Sequence, residues 1–222
     1  MDFELVIFDC DGVLVDTERL TVVVEARMLT ELGWAHTPEQ VVARFMGRTS
    51  ESMLAELELK LGAEKTRWFD EQSTIEVHEA FDRELVAVAG VREVTDFLAR
   101  SGVATCVASS GSHHKMRKTL GLTGLYEQFD GRIFSASEVE HGKPAPDLFL
   151  HAAAAMGAQP ARTAVVEDSA YGVQAAVAAG MTAYGFGGGL APAEALASAG
   201  AVVFQEMAEL VGLLDHSSAK MA

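Results

Sequence analysis

From Gly90 onward the sequence alternates short apolar runs with segments of helical period, and this alternation restricts the fold class more than any other feature. Val91–Arg100 reads as a helix, Val103–Ala108 as a strand and His113–Leu120 as a helix. Arg132–Ser135 reads as a short strand, followed by a helix over Pro146–Met156. Strand Thr163–Val166, helix Tyr171–Ala179 and strand Thr182–Phe186 continue the rhythm. A short helix from Pro192, a strand at Val202–Phe204 and a helix at Met207–Leu214 complete it. Strands separated by helices form a parallel sheet with helices on both faces, so the expected class is α/β.

Residues 17 to 88 break that rhythm. Thr17 can cap a helix whose apolar positions Leu20, Val24, Met28 and Leu32 recur every four residues up to Gly33. Thr37-Pro38-Glu39 gives a second helix start with proline at its first position, and Gly47 ends it. Thr49-Ser50 opens a third helix that stops near Gly62, and a fourth runs from about Lys65 to Leu85. Four helices with no strand among them read as a separate all-helical unit inserted after the first strand. The expected division is residues 1–16 and 86–222 for the α/β part and residues 17–85 for the insert. "LVAVAGV" (Leu85 to Val91) is the expected return crossing.

Composition narrows the partners. The 222 residues carry 17 basic and 32 acidic groups, a formal charge of -15, which argues against nucleic acid because backbone binding needs a basic footprint. A small anion remains possible if cations are focused locally. No window approaches the roughly 18 uninterrupted apolar residues of a membrane span, and no secretory signal is visible at the N-terminus. Cys10 and Cys106 both fall in apolar strand-like runs and read as buried reduced thiols. The expectation is a soluble cytoplasmic monomer with no membrane or nucleic-acid partner.

The first strand raises the chemical question. "LVIFDCDGVLVDTE" (Leu5 to Glu18) follows an apolar run with Asp9 and Asp11, two carboxylates that repel unless compensated. In parallel sheets of this kind ligands bind beyond the carboxyl ends of the strands. Those ends carry Asp9, Asp11 and Gly12, then Ser109, Ser110 and Gly111, then Glu167, Asp168 and Ser169. "GKPAPDLF" adds Lys143 before a helix start. Carboxylates from two strands, Asp9 and Asp168, suit a hard cation such as Mg²⁺, which prefers oxygen ligands. A hydroxyl at Ser109 and the charge of Lys143 suit the non-bridging oxygens of a phosphoryl group. The chemistry indicated is phosphoryl transfer.

This combination resembles the haloacid dehalogenase superfamily, in its phosphatase branch with a small helical cap. The likeness spans roughly Phe3 to Leu214 and rests on "FDCDGVLVDT", "VASSG", "GKPAPDLF" and "VEDSAYGVQAAVAAGM" in that order. It implies a Rossmann-like core with an inserted cap. It also implies a Mg²⁺-dependent phosphatase that hydrolyses a small phosphorylated metabolite, a sugar or sugar-acid phosphate, through an aspartyl-phosphate. Asp9 would be the nucleophile. Asp11 would be the general acid and base, its backbone carbonyl helping to ligate the metal. Ser109 and Ser110 would bind the phosphoryl group with Lys143, while Glu167 and Asp168 would secure the metal, Asp168 directly.

Other readings compete with these. Arg48, in "FMGRTSE", is either a solvated helix-end cation or a substrate-facing group that sets specificity. His113-His114 read as solvated, Ser169 as a helix cap, and Gly187-Gly188-Gly189 as a flexible loop rather than a phosphate cradle. The alternative activity is that of a beta-phosphoglucomutase-like phosphosugar mutase. Such mutases place a histidine early in the first cap helix, where this chain has Thr21. A dehalogenase would lack the second aspartate. A non-enzymatic phosphoacceptor module would be about half this length and carry no cap.

Overall fold

The computed structural model describes residues 3–45 and 50–216. The chain divides into two compact units, Met1–Asp16 with Val86–Ala222, and Thr17–Leu85. It opens with strand β1 (Leu5–Phe8), every residue of which is buried. Four helices follow: α1 (Thr17–Glu31), α2 (Pro38–Phe45), α3 (Ser50–Leu61) and α4 (Ala63–Glu84).

Within the helical unit α1 packs on α2 and α4, and α3 packs on α4. Val24, Met28 and Leu29 of α1 are buried, as are Val41, Leu57, Phe69 and Phe81 on the other helices. Thr37 and Gln40 cap α2 reciprocally: Gln40 N–H donates to Thr37 Oγ1 at 3.3 Å, and Thr37 N–H donates to Gln40 Oε1 at 2.9 Å. That satisfies two helix-end donors at once.

The second unit is built on a six-stranded sheet. Its later elements are α5 (Val91–Arg100), β2 (Ala104–Ser109), α6 (His113–Leu122), α7 (Tyr126–Phe129) and β3 (Ile133–Ser135). Then come α8 (Asp147–Ala155), β4 (Thr163–Glu167), α9 (Ala170–Ala178), β5 (Thr182–Phe186), α10 (Ala193–Ala199), β6 (Val202–Phe204) and α11 (Met207–His216). Two 3₁₀ turns, Ala136–Glu138 and Pro160–Arg162, and the short α7 carry too little periodicity to be read from sequence.

All strand pairs are parallel, in the order β3-β2-β1-β4-β5-β6. β1 lies at the centre, with Leu5 level with Ala104 on one side and Thr163 on the other. Leu5 and Ile7 pack with Leu148, Phe149, Val173 and Ala176 of α8 and α9. On β1's other face the Phe8 ring meets Phe129 edge-on at 6.3 Å. Helices on both faces explain why β1 is apolar throughout rather than alternating. After β3 the chain returns across β1 to begin β4, so the winding reverses between β1 and β4. A crevice at such a reversal is where sheets of this kind bind ligands.

The two crossings between units run side by side. Asp16 N–H donates to Val86 O at 3.1 Å and Val88 N–H to Leu14 O at 3.0 Å. Among the described residues no helix is long and apolar enough to cross a membrane.

Candidate active site

The reversal point fixes the first carboxylate. Asp9 follows β1 directly, and its N–H donates to Val166 O of β4 at 2.9 Å, holding it between the two strands. The chain then turns sharply, with Gly12 N–H donating to Val15 O and Leu14 N–H to Cys10 O, both at 2.9 Å. Gly12 has φ +73°, and a Cβ there would lie 1.9 Å from Asp168 Oδ2. Only glycine lets the turn pass so close to the carboxylate at the end of β4.

Lys143 reaches the same point from the loop before α8. Its Nζ lies 2.6 Å from Asp9 Oδ1 and 2.6 Å from Glu167 Oε1, and donates to Ala108 O at 3.2 Å. The Lys143 side chain is only 6% exposed, so this ammonium bridges two strands from inside the protein. Glu167 is held at both oxygens. Its Oε2 accepts from Ser169 N–H at 3.0 Å and from Ser169 Oγ at 2.8 Å. Ser169 Oγ in turn accepts from Gly172 N–H at 3.0 Å, capping α9. Gly172 is needed because a Cβ would lie 1.9 Å from Glu167 Oε1.

Asp9, Glu167 and Asp168 each place a carboxylate oxygen within 4.8 Å of the others, and all three are buried. The Lys143 ammonium is shared by two of them, Asp9 and Glu167. Burial, the largest influence, raises the Asp9 pKa well above the usual carboxylate range; Lys143 opposes this, while Glu167 and Asp11 add to it. Burial also works against the Lys143 charge, but Asp9 and Glu167 outweigh it and raise its pKa. Lys143 therefore stays charged between Asp9 and Glu167. A buried set of three hard oxygen donors this close together fits a divalent cation such as Mg²⁺. The Asp11 carboxylate stands outside the triad.

Ser109 ends β2 and is 2% exposed, with its Oγ accepting from Gly111 N–H at 3.2 Å. Ser110 is exposed on the same turn. A Cβ on Gly111 would lie 3.6 Å from both Asp11 Oδ2 and Ser109 Oγ, so the Asp11 side chain and the β2 turn meet there. Asp11 Oδ2 also lies 2.7 Å from Lys115 Nζ. Nothing in the sequence singled out Lys115, a lysine in an ordinary polar helix start. Its one signal is position, in the first turn of the helix that follows the Ser109 strand end.

Arg48 lies outside the described residues. His113 is exposed and its Nε2 is 2.8 Å from Glu138 Oε1, so it faces solvent beside a carboxylate. The Gly187–Gly189 tract is a turn rather than a loose loop. Gly187 N–H donates to Phe204 O at 2.8 Å, and the turn packs against Gln205. Cys10 and Cys106 are buried free thiols, and burial pushes Cys106 up to about 12.

Comparison with known proteins adds independent findings. The family model for haloacid dehalogenase-like hydrolases matches residues 3–180. The 6-phosphogluconate phosphatase of Escherichia coli is 33% identical over 184 residues, 82% of this chain and 82% of that protein. A phosphorylated carbohydrates phosphatase of Thermotoga maritima is 33% identical over 216 residues, 95% of this chain and 98% of its own length. The crystal structure of a haloacid dehalogenase-like protein of unknown function from Agrobacterium tumefaciens superposes with a TM-score of 0.87. It is 35% identical, covering 97% of this chain and 99% of that one.

Proposed function

This chain belongs to the haloacid dehalogenase-like hydrolases, and from that premise we propose that it hydrolyses the phosphate monoester of a small sugar or sugar acid through an aspartyl-phosphate on Asp9. It is a phosphatase by family and by kinship with sugar-phosphate phosphatases. The observation that carries the mechanism is Lys143 Nζ, buried and 2.6 Å from Asp9 at the reversal point of the sheet. A nucleophilic carboxylate must approach an anionic phosphorus, and a fixed positive charge lowers that barrier without reorganisation.

In the first step an Asp9 oxygen attacks phosphorus, the bond to the leaving oxygen breaks, and Asp11 gives that oxygen its proton. In the second step water attacks the same phosphorus and gives its proton to Asp11. The P–O bond to Asp9 then breaks, releasing inorganic phosphate and the free carboxylate. Lys143 holds Asp9 throughout, while Glu167, itself held by Ser169, keeps Lys143 in place. Ser109, Ser110 and the backbone N–H groups of their turn receive the non-bridging oxygens. Asp9 and Asp168 would ligate Mg²⁺, with the Asp11 carbonyl and Glu167 at its margin, and the ion would supply positive charge against the phosphate. Choice among leaving groups is assigned to the helical insert, residues 17–85, with Arg48 as its candidate residue.

Hydrolysis is favoured over phosphosugar mutation by Thr21, which stands where the mutases place a histidine. Its hydroxyl donates to Thr17 O at 2.9 Å, back into its own helix, and offers no basic nitrogen for carrying a proton.

The test is a panel of sugar phosphates, sugar-acid phosphates and nucleotides assayed for phosphate release with and without Mg²⁺. A phosphoryl group should appear on the Asp9 peptide by mass spectrometry after acid quench. Label on another residue, or full activity in metal-free enzyme, would overturn the mechanism. Conversion of β-glucose 1-phosphate to glucose 6-phosphate faster than phosphate release would establish the mutase instead.

A further inference from the structure

Two carboxylates two residues apart each have a lysine of their own. Lys143 serves Asp9 from within the core, and Lys115 serves Asp11 from α6. The two pairs differ in setting. The side chains of Lys143 and Asp9 are 6% and 10% exposed, whereas those of Lys115 and Asp11 are 35% and 19% exposed. The Lys115 pair is thus the more open to water.

Lys115 is well anchored for a positioning role. Ser112 caps α6, and its Oγ accepts the Lys115 N–H at 3.2 Å. The turn before the helix is fixed in turn by Ser135, whose Oγ donates to Gly111 O at 2.8 Å. The Lys115 stem also runs close to the point where Gly111, Ser109 and Asp11 converge. An ammonium carried on this anchored backbone, 2.7 Å from one carboxylate oxygen, restricts where that carboxylate can deliver or collect a proton.

We infer that Lys115 is the positioning residue for Asp11, fixing the acid–base carboxylate between the Ser109 turn and the nucleophile. The inference rests on the proposed acid–base role of Asp11. Lys115 acts through Asp11 rather than on the substrate, so its importance scales with how much protonation the leaving group needs.

The experiment compares wild type, Lys115→Met, Lys115→Arg, Asp11→Asn and the Lys115→Met/Asp11→Asn double variant. Phenyl phosphate and p-nitrophenyl phosphate serve as probes, alike in shape but unlike in leaving-group basicity. Single-turnover release of the phenol reads the first step, and steady-state phosphate release gives kcat and KM. Lys115→Met should lower kcat on phenyl phosphate about 10- to 100-fold, the scale of a misplaced catalytic group, with KM nearly unchanged. First-step release from p-nitrophenyl phosphate should fall by less than about threefold, since a good leaving group needs little acid assistance. Lys115→Arg should recover most of the loss. In the Asp11→Asn background, Lys115→Met should add less than about twofold, because both changes remove one function.

Equal first-step losses on the two aryl phosphates, or an undiminished loss in the Asp11→Asn background, would overturn the inference and make Lys115 a substrate contact or a structural residue. An arginine that restores nothing would also overturn it. If Asp11→Asn alone retains wild-type turnover, the acid–base reading itself has failed, and that result is visible without any change at Lys115. Should Lys115→Met not fold, Lys115→Gln under the same comparison decides the matter.

Discussion

The two units of this chain treat charge in opposite ways. In the α/β unit Asp9, Glu167 and Asp168 are buried together at one end of the sheet, and Asp9 and Glu167 share a buried lysine. Among the described residues of the helical unit the buried polar ones are Thr17 and Thr66, and the pairs formed by Arg27 and Arg44 are partly exposed. Arg27 pairs with Glu31 and Glu76, and Arg44 pairs with Glu56 while its guanidinium lies 5.0 Å from the Trp34 ring centre. One unit accepts an electrostatic penalty at a fixed point, which is what a reactive site demands. The other keeps most of its described charges at the surface and relies on apolar helix packing. Chemistry and stability are in tension in the first unit and nearly independent in the second.

The sharpest way to break this contrast is Asp9→Asn. Removing the proposed nucleophile should cut kcat by about 10⁴-fold or more on any phosphate monoester. Stability should move the other way. A carboxyl whose pKa is raised by folding stabilises the native state at low pH, and that contribution is lost as pH rises through its folded value. Asparagine escapes this loss, so the variant measured by urea unfolding above neutral pH should be at least as stable as wild type. A clear drop in stability would mean that Asp9 is a structural ion-pair partner first.

Lys143→Met should have the next largest effect and should hurt both properties. It leaves Asp9 and Glu167 buried without their shared cation, and breaking a buried pair from one side typically costs about 3–5 kcal/mol. Denaturant unfolding in parallel with Asp9→Asn gives the comparison. Opposite signs for the two variants would confirm that the site holds excess negative charge; the same sign would dissolve the distinction between the units.

Among the described residues of the helical unit Glu25 on α1 is an exception, its carboxyl pushed up to about 7 by burial. Its ordinary value is 4.5, so its contribution to stability is complete below that and lost as pH rises through about 7. Glu25→Gln should therefore stabilise the protein by about 1–2 kcal/mol at roughly pH 8.5 and have little effect near about pH 4. A stability gain that does not vary with pH would point to packing rather than charge. The smallest effect should come from Arg27→Ala, which removes two surface pairs, with Glu31 and Glu76, each worth less than about 1 kcal/mol and weakened further by salt. A larger loss would show that surface charge in this unit matters more than the contrast allows.

Much of the molecule could be read along the chain. The apolar run at Leu5–Phe8, the helix start at Thr17 and the strand–helix alternation after Gly90 are local patterns, and local patterns follow from backbone period and capping chemistry. Asp9, Lys143, Glu167 and Asp168 were legible as a group because each stands at a strand end or helix start that the parallel topology gathers on one edge. β2 was read one residue early, since an apolar run does not say that its closing serine, Ser109, still pairs with Ser135.

Only the tertiary structure decided how those groups share their charges. The sheet order places β4 rather than β2 against the Asp9 amide, and so sets Glu167 within 2.6 Å of a lysine 24 residues earlier. Gly172 looks like an unremarkable helical glycine until the Glu167 carboxylate is found where its side chain would be. Lys115 and Asp11 are 104 residues apart, and nothing near either one announces the other. Period, caps and turn residues act over a few positions and are written in the chain. Which carboxylate meets which lysine depends on strand order and on how closely a helix approaches a strand end, distances that exist only once the sheet has formed.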